Sequence, residues 1–352
     1  MKSMTSPLTA AFARSVAFGA LTVIAASVAT VTTAQAADIS GAGATFPYPI
    51  YAKWADAYKK ETDVGLNYQS IGSGGGIKQI KAKTVTFGAS DMPLKPQELD
   101  EAGLVQFPMI MGGVVPVVNL KGLKPGDVKL NGTVLANIYM GEVKKWNDEQ
   151  IKTLNPGLAL PNTAIAPVYR SDGSGTNFLF TDYLSKTSPK FGTQIGANTS
   201  VQWPAGIGAK GNEGVASMVK QTEGSIGYVE YAYAKQNNIP HIDLQNKDGK
   251  VVEPKPEAFQ AAAANADWAN AKGYYVLLTD QPGAASWPIT GASFILMHKQ
   301  PQDPASTAAA LKFFTWAYKS GAKMAGELDY VPMPDAVVAM VQKTWSEQIK
   351  AP

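Results

Sequence analysis

The sequence predicts an α/β fold with mostly parallel sheets, because strand-like and helix-like segments alternate along almost the whole chain. Two apolar stretches, residues 112–120 and 287–297, have the length of buried strands that cross from one domain to another and back. We place these crossovers near Pro116 and Pro288. The length of 352 residues also suits two domains of ordinary size.

The individual elements follow from apolar periodicity. Residues 47–60 predict a helix, since Ile50, Trp54, Ala57 and Tyr58 form an apolar stripe with charged residues opposite. The other predicted helices are residues 77–84, 178–184, 304–319 and 337–349, the last with Asp335 as its cap. The predicted strands are residues 64–71, 85–89, 165–169 and 225–230.

The first 36 residues have the pattern of a cleaved secretory signal peptide. Lys2 and Arg14 flank a short polar start, an apolar run follows over residues 15–31, and the small-x-small tripeptide Ala-Gln-Ala ends at Ala36. An uncleaved membrane anchor is the alternative, but the run is shorter than the roughly 20 apolar residues that a spanning helix needs. We therefore expect a protein that is exported to the periplasm.

The composition excludes several kinds of site. Because there is no cysteine, we expect no disulfide, no thiolate metal site, no cysteine nucleophile and no lipid-modified N-terminal cysteine. The formal net charge is +3, and removing Lys2 and Arg14 with the signal peptide lowers it to about +1. No basic run with interleaved aromatic residues is present, so we expect no nucleic-acid partner. The absence of a lipid-modified cysteine therefore predicts a protein that is free in the periplasm, and we expect it to be a monomer.

Three glycine-rich segments each precede a predicted helix: Gly-Ala-Gly-Ala-Thr-Phe at residues 41–46, Gly-Ser-Gly-Gly-Gly at 72–76 and Asp-Gly-Ser-Gly-Thr at 172–176. Glycine lets a backbone approach a ligand closely, and a helix N-terminus presents unpaired N–H groups at the positive end of the helix dipole. Serine and threonine add hydroxyl donors. One such segment is typical of an ordinary turn before a helix, but three that converge would form a cage for an anion.

Arg170 lies two residues before the third of these segments. The chain has only two arginines, and the other, Arg14, belongs to the predicted signal peptide. A guanidinium group presents a planar fork of donors that matches two oxygens of a tetrahedral oxyanion, which an ammonium group cannot do. Asp172 is close enough in sequence to orient the guanidinium by pairing with it. The alternative interpretation is an ordinary surface arginine.

Asp91 follows the predicted strand of residues 85–89. A carboxylate repels an anion unless the anion carries a proton that the carboxylate can accept. Phosphate at neutral pH keeps at least one proton, whereas sulfate has none, so such a site rejects sulfate because its buried acceptor is left unpaired. Asp91 also fits a helix cap or a turn, and the sequence leaves both interpretations open.

These segments resemble the periplasmic phosphate-binding proteins that serve bacterial phosphate ABC importers. The resemblance is carried, in order along the chain, by residues 41–47, 71–73, 87–91, 172–176, 224–231 and 312–318. It implies a two-lobed periplasmic binding protein fold of type II, in which two α/β domains are joined by two hinge strands and the ligand lies in the cleft. Residues 37–116 and 289–352 would form lobe 1, and residues 117–288 would form lobe 2.

The resemblance also implies a function: the protein binds inorganic phosphate, without a cofactor or a metal, and delivers it to a membrane ABC importer with a permease and a cytoplasmic ATPase. By position, the implied ligand contacts are the Thr45 hydroxyl, the Phe46 amide, Ser73, Asp91 as proton acceptor, Arg170 as bidentate donor, Ser174, Gly175 and Thr176, with Asp172 supporting Arg170. Members of the family often have a serine where this chain has Gly74, which leaves out a secondary hydroxyl contact.

Other functions are compatible with parts of the sequence. A receptor for sulfate, molybdate or a phosphonate would need a similar anion cage. A phosphatase would need an activated nucleophile or a metal, but His241 and His298 are the only histidines and neither lies in a metal-ligand motif. No glycine-rich loop ends in Gly-Lys-Ser or Gly-Lys-Thr, so a nucleotide P-loop is excluded.

Two further predictions concern ordinary structure. Residues 206–211 match the Gly-x-Gly-x-x-Gly pattern of dinucleotide sites, with residues 201–203 as a preceding strand, but we predict a structural loop because the pattern alone is weak. His241 follows Pro240 and is predicted to lie in a surface loop, whereas His298 is predicted to end a buried strand.

Overall fold

The computed structural model describes residues 39–351. The predicted signal peptide, residues 1–36, lies outside the described residues and stays a prediction. None of the helices in residues 39–351 has the length and hydropathy of a membrane-spanning segment.

Strands and helices alternate along the described chain. In chain order the strands are β1 (Ile39–Gly43), β2 (Leu66–Ser70), β3 (Phe87–Ser90), β4 (Leu104–Val118), β5 (Lys129–Leu130), β6 (Ala166–Arg170), β7 (Ile207–Ala209), β8 (Ser225–Glu230), β9 (Asp243–Gln245), β10 (Val251–Val252), β11 (Thr290–His298) and β12 (Val331–Pro332). The helices are α1 (Tyr48–Thr62), α2 (Ser73–Lys81), α3 (Pro96–Ala102), α4 (Gly132–Tyr139), α5 (Glu149–Leu154), α6 (Gly175–Thr187), α7 (Pro189–Gln194), α8 (Gly211–Gln221), α9 (Tyr231–Gln236), α10 (Pro256–Ala263), α11 (Pro304–Ser320), α12 (Ala322–Glu327) and α13 (Asp335–Gln348), with a 3₁₀ turn at Lys272–Tyr274.

The large sheet has the strand order β2-β1-β3-β11-β4-β8-β6-β7, and β12 pairs with β4. Parallel pairs lie at its two ends, within β2-β1-β3 and within β8-β6-β7. The centre is antiparallel, because β11 pairs with β3 and β4, and β4 pairs with β8. The predicted α/β fold is confirmed, but the prediction of mostly parallel sheets holds only for the outer strands, since the chain passes through the centre in both directions.

Strand β4 joins the two ends of this sheet. Its first part, up to Gly113, pairs with β11, and its second part, from Val114, pairs with β8. The Val114 amide donates to the Ile289 carbonyl at 2.8 Å, and the Trp287 indole N–H donates to the Val114 carbonyl at 2.9 Å. The two stretches predicted as crossovers therefore lie side by side. Because the described residues pack as one compact unit, the boundaries at residues 116 and 288 stay predictions.

Predicted elements with strong apolar periodicity lie close to their predicted bounds. Strand β8 has the predicted bounds, and helix α11 extends one residue further than predicted. Helix α1 buries Ile50, Trp54 and Tyr58 of the predicted stripe. Burying one apolar face of an amphipathic helix against the sheet stabilises both elements, so the periodicity predicts them well.

Some local predictions were wrong. Helix α13 begins at Asp335 itself, after Pro334 in the cap position and without a side-chain cap bond, so Asp335 lies in the first turn instead of capping the helix. Residues 201–203 are not a strand, and the strand at this place is β7, inside the glycine pattern of residues 206–211. Helix α2 begins at Ser73, because the glycines after it are helical rather than helix-breaking.

The two histidines differ in how they match their predictions. His298 ends strand β11, as predicted, and its ring nitrogen lies 2.7 Å from the Ile80 carbonyl. His241, predicted on the surface, is buried instead. Its ring packs 6.0 Å from the ring of Tyr231, and its Nε2 lies 3.7 Å from Asp243 Oδ1. The proline before His241 indicates a turn but does not report how the turn packs against Tyr231.

Candidate functional site

The candidate site residues come from connections that follow strands of the large sheet. Thr45 and Phe46 follow β1, Ser73 begins α2 after β2, Asp91 follows β3, and Arg170 ends β6. Because β1, β2 and β3 are parallel neighbours, their carboxyl ends meet at one edge of the sheet, which is where ligands usually bind in α/β proteins. The first two glycine-rich segments are therefore brought together by the sheet itself.

The three glycine-rich segments contact one another directly. A Cβ atom added to Gly76 would lie 2.5 Å from Gly43 Cα, and one added to Gly72 would lie 2.5 Å from the Gly173 carbonyl oxygen. The Gly74 amide donates to the same Gly173 carbonyl at 2.9 Å. A Cβ atom on Gly74 would lie 3.1 Å from Gly173 Cα, so glycine at this position suits the close approach. The segments can meet because they lack side chains at these points.

Gly175 brings the third segment against the carboxylate. A Cβ atom there would lie 2.4 Å from Ser73 Oγ and 2.5 Å from Asp91 Oδ2. Gly175 is also the first residue of α6, where backbone N–H groups have no partner within the helix. The predicted side chains share this buried region, with at most 3% exposure for Thr45, Ser73, Asp91, Arg170, Ser174 and Thr176. The structure thus supplies the convergence that the sequence left open.

The two serine hydroxyls accept hydrogen bonds from backbone amides. The Asp91 amide donates to Ser73 Oγ at 3.1 Å, and the Asn177 amide donates to Ser174 Oγ at 2.9 Å, which makes Ser174 the N-cap of α6. A hydroxyl that accepts a bond keeps its own proton free to donate. Ser73 and Ser174 can therefore both donate to an anion.

The threonine hydroxyls meet at a residue that the sequence analysis missed. Asn212 Nδ2 donates to Thr45 Oγ1 at 2.6 Å and to Thr176 Oγ1 at 3.1 Å. A signal for Asn212 was present, because residues 206–211 are a fourth glycine-rich segment that opens a helix, and Asn212 lies in the first turn of α8. From the sequence we weigh that segment only between a dinucleotide motif and a structural loop, and predict the loop.

Phe46 contributes through its backbone. Its side chain is fully buried, and its carbonyl accepts from the Tyr330 hydroxyl at 2.6 Å. The Tyr48 amide donates to the Thr45 carbonyl at 3.2 Å, so residues 45–48 form a turn that leads into α1. The Phe46 amide lies in this turn, at the helix end whose dipole favours an anion.

The predicted pairing of Arg170 with Asp172 is confirmed. Arg170 Nε donates to Asp172 Oδ1 at 2.8 Å, and Nη2 donates to Oδ2 at 2.6 Å. Arg170 Nη1 is buried and has no hydrogen-bond partner among the described residues. Asp172 thus occupies one bidentate edge of the guanidinium and leaves the Nη1–Nη2 edge for a ligand.

The charge state of Asp172 suits this supporting role. Burial pushes the pKa of Asp172 upward, but the hydrogen bonds and the charge of Arg170, with the Gly211 amide, hold it below the usual value. Asp172 therefore stays ionised and keeps the guanidinium oriented.

Asp91 is the acidic group that faces the other segments. It is 1% exposed, and neither carboxylate oxygen has a hydrogen-bond partner among the described residues. Burial raises the pKa of Asp91 to about 7. The Ser293 hydroxyl, the positive charge of Arg170 and the Ser73 hydroxyl oppose this rise only in part, since both hydroxyls are near the carboxylate without meeting hydrogen-bond geometry. The carboxyl group can therefore gain or lose a proton near neutral pH, as functional carboxyl groups often do.

The raised pKa of Asp91 predicts that stability of the ligand-free protein depends on pH. An acid with a raised pKa in the folded state contributes stability that is fully present below its unfolded pKa, near 3.8, and is lost as the pH rises through about 7. Asp91→Asn should remove this loss and raise the free energy of unfolding at pH 8 by roughly 1–4 kcal/mol. Urea unfolding at pH 5 and pH 8, in buffers without phosphate or sulfate, measures it. If the free energies of unfolding of the variant and of wild type differed by the same amount at pH 5 and at pH 8, the prediction would be contradicted.

The candidate site combines many hydrogen-bond donors with one carboxylate acceptor. The hydroxyls, the helix-terminal amides and Arg170 donate, and only Asp91 accepts. No group of three or more His, Cys, Asp or Glu side chains in residues 39–351 is placed to hold a metal ion. The arrangement suits a small oxyanion that carries at least one proton.

Comparisons with known proteins identify the family. A family model described as a PBP superfamily domain matches residues 28–320. The chain is 55% identical over 319 residues to the phosphate-binding protein PstS of Pasteurella multocida, covering 91% of this chain and 93% of that protein. It is 56% identical over 317 residues to the phosphate-binding protein PstS of Haemophilus influenzae, covering 90% of this chain and 95% of that protein.

A solved structure shows the same fold. The phosphate-binding protein from Stenotrophomonas maltophilia is 21% identical, with a TM-score of 0.68, and the match covers 87% of this chain and 93% of that one. At this identity the likeness concerns the fold, which is the two-lobed type II fold of periplasmic binding proteins that the resemblance had implied. The chain belongs to the PBP superfamily and, within it, to the PstS family of phosphate-binding proteins.

Proposed function

We propose that the protein binds inorganic phosphate in the periplasm and delivers it to a membrane ABC importer with a permease and a cytoplasmic ATPase. One observation carries this proposal. Asp91 offers buried acceptor oxygens and Arg170 Nη1 offers buried donors, and neither has a partner among the described residues. When Asp91 is ionised, a ligand that satisfies both must carry a proton and several acceptor oxygens, as phosphate does at neutral pH. The PstS relatives, at 55% and 56% identity, support the same ligand.

Each residue of the site has a proposed role. The donors to phosphate are the hydroxyls of Thr45, Ser73, Ser174 and Thr176, the amides of Phe46 and Gly175, and the Nη1–Nη2 edge of Arg170. Asp91 accepts the proton of the ligand, and Asp172 supports Arg170. A buried acceptor that faces sulfate would stay unpaired, so Asp91 disfavours that anion.

Binding is proposed to close the two lobes. Thr45, Ser73 and Asp91 come from the end of the sheet with β1 to β3, whereas Arg170 and Thr176 come from the end with β6. An anion that contacts both groups stabilises the closed state, since a ligand shifts an equilibrium by its differential affinity for the two states. The proposed lobes are residues 37–116 with 289–352, and residues 117–288. The importer then recognises the closed form.

We propose that phosphate is carried and not transformed. A serine nucleophile needs a base that takes its proton. Backbone amides donate to the hydroxyls of Ser73 and Ser174, and within residues 39–351 neither hydroxyl is hydrogen-bonded to a carboxylate or a histidine that could act as this base. The protein acts as a monomeric carrier without a cofactor.

Isothermal titration calorimetry tests the proposal. The protein, purified free of phosphate, should bind one phosphate with a dissociation constant of about 1 μM or tighter, which corresponds to about −8 kcal/mol or beyond. Sulfate at equal concentration should not displace it, and tryptophan fluorescence should change with phosphate alone as the lobes close. Equal binding of both anions would favour a receptor for another oxyanion. Hydrolysis of a chromogenic phosphoester would favour a phosphatase.

A further inference from the structure

Asn212 connects two hydroxyls of the site that come from opposite ends of the sheet. It is fully buried in the first turn of α8. Its Nδ2 lies 2.6 Å from Thr45 Oγ1 and 3.1 Å from Thr176 Oγ1, and its backbone N–H donates to Thr45 Oγ1 at 3.2 Å. Thr45 follows β1 and Thr176 lies in α6 after β6, so Asn212 bridges the two parts that the ligand is proposed to bridge.

The orientation of the Asn212 amide is set by a second contact. Asn212 Oδ1 accepts from the Glu230 backbone N–H at 2.8 Å. A backbone N–H can only donate, so the amide oxygen must face Glu230 and the NH₂ group must face the threonines. Asn212 therefore acts as a donor toward both hydroxyls.

This arrangement determines where the hydroxyl protons point. Thr45 Oγ1 accepts from two N–H groups of Asn212, which occupies both of its lone pairs. Its own proton must then be donated elsewhere. Thr176 Oγ1 also accepts from Asn212 and keeps its proton free in the same way. With Asn212 in place, the Thr45 hydroxyl has no lone pair left for the anion, and the Thr176 hydroxyl, with one lone pair occupied, keeps its proton available to the anion.

We propose that Asn212 is a positioning residue of the anion site, which holds the hydroxyls of Thr45 and Thr176 as donors to the ligand. The inference rests on the proposed phosphate-binding function and extends it to a residue whose side-chain NH₂ group donates to the two threonine hydroxyls. Because Thr45 and Asn212 belong to opposite ends of the sheet, the Thr45 hydroxyl acquires this orientation only when the two ends are together, whereas Thr176 and Asn212 come from the same end. Closure and donor orientation are therefore coupled.

A double-mutant cycle tests whether Asn212 acts through the threonines. Asn212→Ala should weaken phosphate binding by about 10- to 100-fold in the otherwise wild-type chain, since one or two oriented charge-assisted bonds are lost. In a chain that already carries Thr45→Ala and Thr176→Ala, the same change should cost less than about threefold, because no hydroxyl is left to orient. Equal fold-changes in the two backgrounds would overturn the proposal, since a merely structural effect is additive.

Asn246→Ala is the matched control. Asn246 is also buried, and its Nδ2 donates to carbonyls of the loop around Gly283, at 2.9 Å from the Gly283 oxygen. This change should lower thermal stability and leave phosphate affinity unchanged. Phosphate affinity that falls in parallel for Asn246→Ala and Asn212→Ala would assign the effect to stability and overturn the proposal.

The isosteric change Asn212→Asp keeps the test decisive if the alanine variant does not fold. An ionised carboxylate would accept from both threonines and turn their protons away from the ligand. Relative to wild type at the same pH, its phosphate affinity should be lowest at pH 8 and recover at pH 5, where the introduced carboxyl group is protonated. A loss that is equal at both pH values would overturn the proposal.

The same experiments separate the two proposals. If wild type itself bound no phosphate, the proposed function would fail. If wild type bound phosphate and the effects of the substitutions were additive, only the proposed role of Asn212 would fail.

Discussion

Asp91→Asn is expected to weaken phosphate binding and, more strongly, to narrow the preference for phosphate over sulfate. The ionised carboxylate accepts a hydrogen bond from the protonated oxygen of phosphate. Sulfate has no proton to donate, so its oxygen would face the carboxylate oxygen as a second acceptor. Such an unpaired buried acceptor can contribute up to ~10⁴–10⁵ in discrimination when the site is dry, and Asp91 is 1% exposed. The asparagine amide can donate to either anion, so the variant should lose most of this margin.

Calorimetry with both anions at pH 8 measures the margin. This pH is chosen because burial raises the pKa of Asp91 to about 7, so the wild-type carboxylate is mostly ionised there. Asp172→Asn is the matched control. Because Asp172 is hydrogen-bonded to Arg170, this change should lower the affinities for phosphate and for sulfate by similar factors. A margin that survives Asp91→Asn would show that backbone amides or the shape of the cage set the selectivity.

Arg170→Lys is expected to lower phosphate affinity by at least about 100-fold, because two charge-assisted bonds of about 1.5–3 kcal/mol each are lost. The guanidinium donates to Asp172 from Nε and Nη2. Its Nη1 group and the second N–H of Nη2 stay available to the ligand. A single ammonium nitrogen keeps the charge but cannot present two donor pairs at fixed angles. The pKa of Asp172 should also rise toward its usual value, because the bonds of Arg170 hold it down.

The titration and the pKa of Asp172 are measured on the same variant, by calorimetry and by carboxyl-carbon NMR. Lys121→Arg is the matched control, since Lys121 is exposed and forms its ion pair with Glu223 at the surface. That exchange should change neither quantity. Unaltered phosphate affinity in Arg170→Lys would contradict the role of the guanidinium edge.

Much of the fold was accessible from local pattern. Strand β8 and helix α11 were predicted to within one residue, because alternation and helical periodicity are properties of short segments. The start of α2 was missed, since glycine normally disfavours a helix interior. Here Gly76 is required because a side chain would collide with Gly43, a neighbour that only the folded chain supplies.

The candidate site was predicted where one residue type carries the chemistry by itself. Arg170 stands out as the only arginine after the predicted signal peptide, whereas Asp91 and each single glycine-rich segment also fit an ordinary turn or helix cap. Asn212 was missed because an asparagine after a glycine-rich segment has no meaning until Thr45 and Thr176 lie beside it. The same holds for Ser293, which acts on the pKa of Asp91 from strand β11.

The sequence by itself determined which groups this protein can offer a ligand: the donors of its glycine-rich helix starts, one arginine and one aspartate after a strand. Only the tertiary structure decided that they face one another, that Asp172 takes one edge of Arg170, and that Asn212 orients the threonines. The physical reason is the distance along the chain over which each interaction acts. Periodicity and helix-terminal chemistry act over a few residues, whereas the contacts of Asn212 join it to Thr176, 36 positions away, and to Thr45, 167 positions away.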